Sequence, residues 1–304
     1  MSGVAAFLNP AAPASKQVHL FYNTNKKNLG VQLRDETKTA DEQEAFVASD
    51  DAQNGIIVNP AQITTTDLTG LNIVVGFTAK PTPPATVSGD ADAPTQNDVS
   101  IISPVYVPLG ATEVNNLTIA STSSPQTAWI FYLTGTDPNT TQINERSLGE
   151  DSPGSYDNTV KIIPGSSLAA YYVPDEETGN DGNRYIIYQS NKPHRLHEYS
   201  PNTEDVWDYE LVNSGDANEK TTLAATYVDK KVYLYYTDDS NQMRVIVKSN
   251  GKWGSSAAVA AAHSPVDESS QITVVPAKNG NHLFYIAKGD SPKYKFQHIV
   301  HKRS

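Results

Sequence analysis

Apolar and polar residues alternate along this chain with a period of two, and helical periodicity is almost absent. One unit recurs: an aromatic and aliphatic run, a polar turn, then a second short run. Its clearest copies are Val18–Tyr22, Trp129–Tyr132, Tyr185–Tyr188, Val232–Tyr236 and Leu283–Ile286, with a weaker one at Ile73–Phe77. Such alternation, bounded by Asp, Asn, Gly and Pro, predicts half-buried strands joined by turns. Each copy follows a run of smaller side chains: Gly3–Phe7, Gly55–Val58, Leu117–Ala120, Ser167–Tyr171, Thr222–Thr226 and Gln271–Val275. Small residues suit an innermost strand, where sheets crowd around an axis, and bulky ones suit positions further out.

The copies recur about every 50 residues, the length of one four-stranded propeller blade. Six copies predict an all-β protein, a six-bladed β-propeller of short antiparallel sheets in a single domain spanning 1–304. The expected blades cover about 3–50, 53–110, 114–163, 166–215, 221–262 and 269–304. The fourth reads as strands at Leu168–Tyr172, Tyr185–Gln189, Leu196–Ser200 and Val206–Leu211. The sixth runs out at Ser304 after about three strands, so ring closure is expected to be imperfect or to borrow a strand from the start of the chain. Lys80–Asn97, rich in Pro and Asp, reads as a long exposed loop, and Asp175–Asn183 as a solvated hairpin tip. The end at His301, Lys302 and Arg303 reads as a frayed terminus.

Composition removes several classes of function. The chain has no cysteine, which excludes disulfides, thiolate metal sites and Cys nucleophiles. A net charge of −11 and a pI near 5.0 argue against nucleic acid as a partner, since phosphate binding depends on clustered Lys and Arg. No apolar run is long enough for a membrane span, and no basic, apolar leader is visible at the start. A cytoplasmic location is expected, while the sequons at Asn116 and Asn139 leave a secreted form open. Phosphate loops, dinucleotide fingerprints and Gly-x-Ser-x-Gly elbows are missing, so no cofactor is expected. Nothing in the sequence sets the oligomeric state.

In the fourth and fifth repeats, Ser-Leu-Ala-Ala-Tyr-Tyr, Asn-Arg-Tyr-Ile-Ile-Tyr and Leu-His-Glu-Tyr, then Thr-Leu-Ala-Ala-Thr-Tyr, Val-Tyr-Leu-Tyr-Tyr and Gly-Lys-Trp, resemble the fungal fucose-specific lectins. The resemblance covers the repeat rhythm of nearly the whole chain and is specific over about residues 164–254. It implies a six-bladed propeller with sugar pockets between adjacent blades. Each pocket would use an Arg opening the second strand, a Glu on the third and an aromatic platform, so that charged groups bind hydroxyls and a ring covers the pyranose C–H face. Carried over, the full set survives only as Arg184, Glu198 and Trp207. The third repeat keeps Glu145 with Ala128 in place of Arg, and the fifth has Lys231 and Val245 but retains Trp253. The others offer His282 and His298, Gln17 and Val31, and Asn72. The bland alternative for Arg184 and Glu198 is an exposed cross-strand ion pair.

Lys192–Tyr199 holds the densest ionisable cluster, with His194, Arg195 and His197. In or beside a turn, these groups could protonate a leaving hydroxyl or hold an enolate oxygen, against the plainer reading of a solvated turn. Two His at this spacing without a third ligand predict no metal, and Asp238–Asn241 reads as a hairpin turn rather than a calcium loop. Trp129, Tyr171 and Tyr172 are candidates to enclose a flat or terpenoid ligand.

The loss of most sugar residues makes the chain similar also to the diverged propellers of the hetero-Diels–Alderase class in tropolone sesquiterpenoid biosynthesis. That resemblance implies a secondary-metabolite pericyclase joining a tropolone quinone methide to a humulene-type sesquiterpene, with His194, Arg195 and His197 as donors. This hydrophobic small-molecule enzyme is the leading expectation. The alternatives are a lectin for fucosylated glycans with one retained site, and a non-catalytic interaction propeller.

Overall fold

Runs of Val, Ile, Tyr and Phe interleaved with Thr, Ser and Asn pair into six separate antiparallel sheets in the computed structural model. Residues 3–35, 44–47, 56–79, 97–112, 116–149, 154–156, 160–175, 182–201, 207–290 and 296–303 are described. The first sheet holds Val4–Leu8, Val18–Asn23, Leu29–Arg34 and Glu44–Val47, and the second Thr64–Leu68, Leu71–Ala79, Asn97–Ser103 and Val107–Thr112. The third holds Ile119–Ser123, Ala128–Thr134, Gln142–Leu148 and Gly154–Tyr156, and the fourth Ala169–Val173, Asn183–Gln189, Leu196–Ser200 and Trp207–Glu210. The fifth holds Ala224–Val228, Lys231–Thr237 and Met243–Ser249, with Lys252–Trp253 and Ala257–Ala258 both laid along its third strand. The sixth has Thr273–Ala277, Gly280–Ile286 and Phe296–His301 among the described residues. The protein is a six-bladed β-propeller.

The first strands of all six blades pack side by side around one axis. Alanines at 5, 6, 120, 169, 170, 224 and 225 line the narrow axial channel, which explains the small residues seen in the repeats. Buried side chains then tie blade to blade. Gln62 donates to Ser167 Oγ at 2.8 Å and accepts from the Ile119 amide at 3.1 Å, and Thr222 Oγ1 accepts from the Ile272 amide at 3.0 Å.

Among the described residues, closure does not borrow a strand. Val4–Leu8 stays innermost in its own blade, and the ring is sealed by side chains of the sixth. Gln271 Oε1 accepts from the Val4 amide at 3.0 Å, and Thr273 Oγ1 from the Ala6 amide at 3.2 Å. Both backbone groups would otherwise be buried without partners, so polar inner-strand residues replace the exchanged strand.

Between blades lie six apolar cores, one per seam. Tyr188, Tyr233, Tyr235, Tyr236 and Tyr285 are fully buried there, so most of the aromatic surplus is packing. Each such side chain contributes roughly 1.5–3 kcal/mol of burial energy.

Three expectations change. Gly55–Val58 is not an inner strand: within it Ile57 makes only an isolated bridge to Thr78, and the inner strand of the second blade is the polar Thr64–Leu68. Its threonines replace alanine packing by hydrogen bonds, Thr64 with Ser121 at 2.7 Å and Thr65 to the Ala6 carbonyl at 2.9 Å. The chain end is strapped rather than frayed, because His301 pairs with Asn281 while Arg303 meets Asp229 at 3.0 Å and donates to the Gly280 carbonyl at 3.0 Å. Within Lys80–Asn97, Asn97 opens a strand, and 80–96 lie outside the described residues. Val173 pairs with Asn183 as the base of the expected hairpin, whose tip at 176–181 also lies outside them. The Asp238 turn is as expected, with Oδ1 accepting from the Ser240 and Gln242 amides. No described helix is long and apolar enough to cross a membrane.

Candidate functional site

Strand pairing fixes which side of a blade each side chain faces, and one residue of offset reverses it. In the fourth blade Arg184 pairs with Tyr172, whereas Glu198 pairs with Ile187, which in turn pairs with Ala169. Positions 184 and 187 differ by an odd number, so Arg184 faces the third blade and Glu198 the fifth. The predicted triad of Arg184, Glu198 and Trp207 therefore does not form one site. Trp207 opens the outer strand opposite Ser200, and its side chain lies outside the described part of the structure.

Each half of the broken pair finds a partner across a seam. Arg184 donates from Nε to Glu145 Oε2 at 2.7 Å and from Nη2 to Glu145 Oε1 at 3.0 Å. Its guanidinium lies over the Trp129 ring at 5.0 Å, and Trp129 stacks on Tyr172 at 5.8 Å. Burial acts to lower the pKa of Arg184, but the hydrogen bonds and charge of Glu145 outweigh it and hold the group above its ordinary value. The neighbouring Tyr156 phenol is pushed up, first by burial and then by Glu145. With side-chain exposures of 16% and 5%, Arg184 and Glu145 make a closed bidentate pair.

Lys248 of the fifth blade serves Glu198, with Nζ 2.7 Å and 2.9 Å from the two carboxylate oxygens. The Tyr171 hydroxyl makes a short hydrogen bond to the same carboxylate. Burial, then the Glu198 charge, raises the pKa of Tyr171, and the same two causes raise that of Tyr185, so both phenols keep their protons. Tyr171 and Tyr185 stack at 4.9 Å, and Lys248 sits 4.8 Å from the Tyr185 ring centre and 5.6 Å from that of Trp253. The Trp253 Nε1 donor is buried with no hydrogen-bond partner among the described residues. This seam borders a cleft of about 210 Å³ lined by Tyr185, Tyr227, Lys230, Lys248 and Asn250.

The two carboxylates occupy one position of the repeat. The inner-strand pairs Ala120 with Phe131 and Ala169 with Ile187 are counterparts, and their third-strand partners are Glu145 and Glu198. The same position holds Val31, Ile101, Val245 and His298 in the other blades. The place of Arg184, opposite Tyr172, belongs in the fifth blade to Val232, opposite Tyr227, and not to Lys231. Lys248 stands directly across from Val232 and supplies the charge from the next strand. Sequence reading missed Lys248 and Tyr185; counting the alternation from Trp253 back through its partner Lys248 would have placed both on the seam.

His194, Arg195 and His197 do not converge. His197 is buried, with Nδ1 3.0 Å from Asp208 Oδ1, and stacks on Tyr188, whose hydroxyl donates to Asp208 Oδ2 at 2.7 Å. Arg195 is 3.9 Å from Glu210 at the rim, and His194 occupies the turn with φ of 63°. Among the described residues no group of three or more acidic or His side chains is arranged for a metal. Asn116 is buried and accepts from the Gly165 amide at 3.1 Å, whereas Asn139 is exposed.

Neither a family model nor a curated protein sequence matches this chain. Solved structures do match. A variant of Aleuria aurantia lectin, determined with α-methyl-L-fucoside, is 12% identical with a TM-score of 0.65, over 98% of this chain and 95% of that one. AofleA from Arthrobotrys oligospora is 11% identical with a TM-score of 0.64, over 95% of this chain and 80% of that one. The BP39L lectin from Burkholderia pseudomallei is 13% identical with a TM-score of 0.59, over 94% of this chain and 93% of that one. The shared feature is the fold, which for the Aleuria aurantia protein is described as a six-bladed β-propeller.

Proposed function

We propose that this protein is a saccharide-binding propeller, a lectin of the fucose-recognising kind, whose working cleft lies between the fourth and fifth blades. One observation carries the reading: a buried carboxylate, a cation and aromatic faces meet at an open seam, as Glu198, Lys248, Tyr185 and Trp253. This is the chemistry that sugar recognition requires, with Lys in place of Arg and arriving from the neighbouring blade. Lys248, 14% exposed, meets the ligand hydroxyls, while Glu198, fully buried, orients it. The Tyr185 and Tyr227 rings offer an apolar wall to sugar C–H groups.

Of the other blades only the third carries a carboxylate at the position of Glu198, and that one is taken up by Arg184, so avidity from repeated sites is small and binding to one cleft is weak. Titration with methyl α-L-fucoside, followed by ligand-observed NMR, tests the reading. Millimolar or tighter binding that disappears in Lys248→Met supports it, and absence of binding by this ligand and by a panel of fucosylated glycans overturns it.

The pericyclase reading depends on donors converging on an apolar cavity. His197 is committed to Asp208 inside its blade, and His194 and Arg195 lie at the rim, so the geometry favours saccharide binding over that chemistry. Stereoselective adduct formation from a tropolone quinone methide precursor and humulene, above the uncatalysed background, would reverse this preference.

A further inference from the structure

Two tight turns of the fifth blade rim the cleft between the fourth and fifth blades. Val228 pairs with Lys231 and Ser249 with Lys252, which leaves Asp229–Lys230 and Asn250–Gly251 as two-residue hairpin loops. All four residues have positive φ, 52° and 60° in the first loop and 50° and 74° in the second, as hairpin turns of this hand require. Lys230 stands where such a turn favours Gly, and the matching turn of the second blade, Thr69–Gly70, has Gly there. A lysine at that place is kept at a backbone cost, and its exposed side chain lines the cleft together with Asn250.

The chemistry of the lining is one-sided. It includes two lysines and no carboxylate, in a chain whose net charge is −11. Glu198, which balances the charge of Lys248, is fully buried, and its oxygens are committed to Lys248 and to the Tyr171 hydroxyl. Asp229, beside Lys230 in the turn, meets Arg303 at 3.0 Å. The lining therefore carries excess positive charge. An ammonium group donates and cannot accept, so the cleft suits a ligand rich in acceptor oxygens better than a neutral polyol with protons to place. At about 210 Å³ it lies below the roughly 300–1,000 Å³ of drug-sized pockets, which limits it to a single sugar ring.

We propose that the saccharide taken by this cleft is acidic: one pyranose whose ring lies against Tyr185 and Tyr227 and whose carboxylate or sulfate is held by Lys230 at the lip. This rests on the reading of the cleft as a saccharide site and names its ligand class. Uronates and sulfated sugars share the required chemistry, an anionic oxygen group on the edge of a pyranose.

The test compares matched pairs by calorimetry on the full chain: methyl α-D-galacturonoside against methyl α-D-galactoside, and methyl α-L-fucoside 3-sulfate against methyl α-L-fucoside. The acidic member of at least one pair is expected to bind about tenfold or more tightly than its neutral parent, and the pair that shows this distinguishes a uronate from a sulfate. Raising the salt from about 0.1 M to about 1 M is expected to shrink the preference. Lys230→Gln removes the charge, and Lys230→Gly removes it while giving the turn the residue it favours, so the second variant guards against a folding defect in the first. Both are expected to bring the members of the pair to within about threefold of each other. Equal affinities within each pair, or a preference that survives both variants, overturn the proposal and leave the saccharide reading standing on its neutral ligands. Absence of binding by all four ligands overturns both.

Discussion

Arg184 and Glu198 belong to adjacent strands of one blade, yet their side chains leave it on opposite faces, the first toward Glu145 and the second toward Lys248. What looks in the sequence like one retained site is therefore half of each of two seams. Each seam buries a carboxylate against a cation from the next blade. The two pairs are about equally buried, at 16% and 5% against 14% and 0%; what differs is their surroundings, the guanidinium lying against Trp129 and Tyr156 and the ammonium group lining a cleft.

That difference predicts separate consequences for the two cations. Arg184→Met leaves Glu145 buried and uncompensated, which costs on the order of 3 kcal/mol, and the double variant Arg184→Met with Glu145→Leu recovers much of it. Urea unfolding of the two single variants and the double variant measures the coupling. Methyl α-L-fucoside binding is expected to be unaffected in any of them that folds.

For the open seam, Lys248→Arg is expected to keep saccharide binding within a few-fold, since it preserves the charge on Glu198. Glu198→Gln is expected to weaken binding at least tenfold by releasing the ammonium group from its fixed position. Calorimetric titration of both variants checks this, and equal losses in the two would show that the geometry of the lysine, not its charge, is what the ligand reads.

The six-blade architecture was legible because an aromatic run following an alanine-rich run is a direct consequence of crowding around an axis. Tyr185–Gln189 and Leu196–Ser200 in the fourth blade fall within a residue or two of the observed strands. The second blade was misread where Thr64–Leu68 substitutes hydrogen bonds for small apolar packing, which gives no hydrophobic signal. The site was half legible. Glu145, Glu198 and Trp253 stand out by type, but pairing across seams depends on register parity, and a slip of one residue assigned Arg184 to the wrong face and hid Lys248. His197 drew notice as a titratable group, although its chemistry is consumed by Asp208 and Tyr188.

Ring closure rests on Gln271, whose side chain accepts from the Val4 and Ile63 amides and donates to the Ile63 carbonyl at 2.8 Å. Gln271→Leu orphans these buried backbone groups, each worth about 1–3 kcal/mol. The expected result is a fall in stability of about 3 kcal/mol or more in thermal or urea melts. Gln17→Leu serves as the control, because Gln17 bonds only at the partly exposed first turn and should change stability by less than about 1 kcal/mol.

The seam between the sixth and first blades should make the protein sensitive to acid. His282 Nδ1 and His298 Nε2 lie 2.8 Å apart, and Arg34 packs over the Phe284 ring on which His298 stacks. Burial lowers His282 to about 4. His298 falls to about 3, through burial first and then the charges of His282 and Arg34, with Asp35 opposing the shift in both and Arg303 adding to it for His282. Both folded-state values lie below the unfolded value of 6.5, so between these limits the unfolded chain binds protons that the folded chain does not. Stability is then full above about pH 6.5 and is lost as the pH falls through the range to about 3, with a slope of up to about 1.4 kcal/mol per pH unit for each histidine. Urea midpoints measured from pH 7.5 to pH 4 should show this slope in the parent and a shallower one in His298→Gln, where one titrating ring is gone and the carboxylates are unchanged. An identical slope in the two proteins would place the acid sensitivity in the carboxylates instead of at this seam.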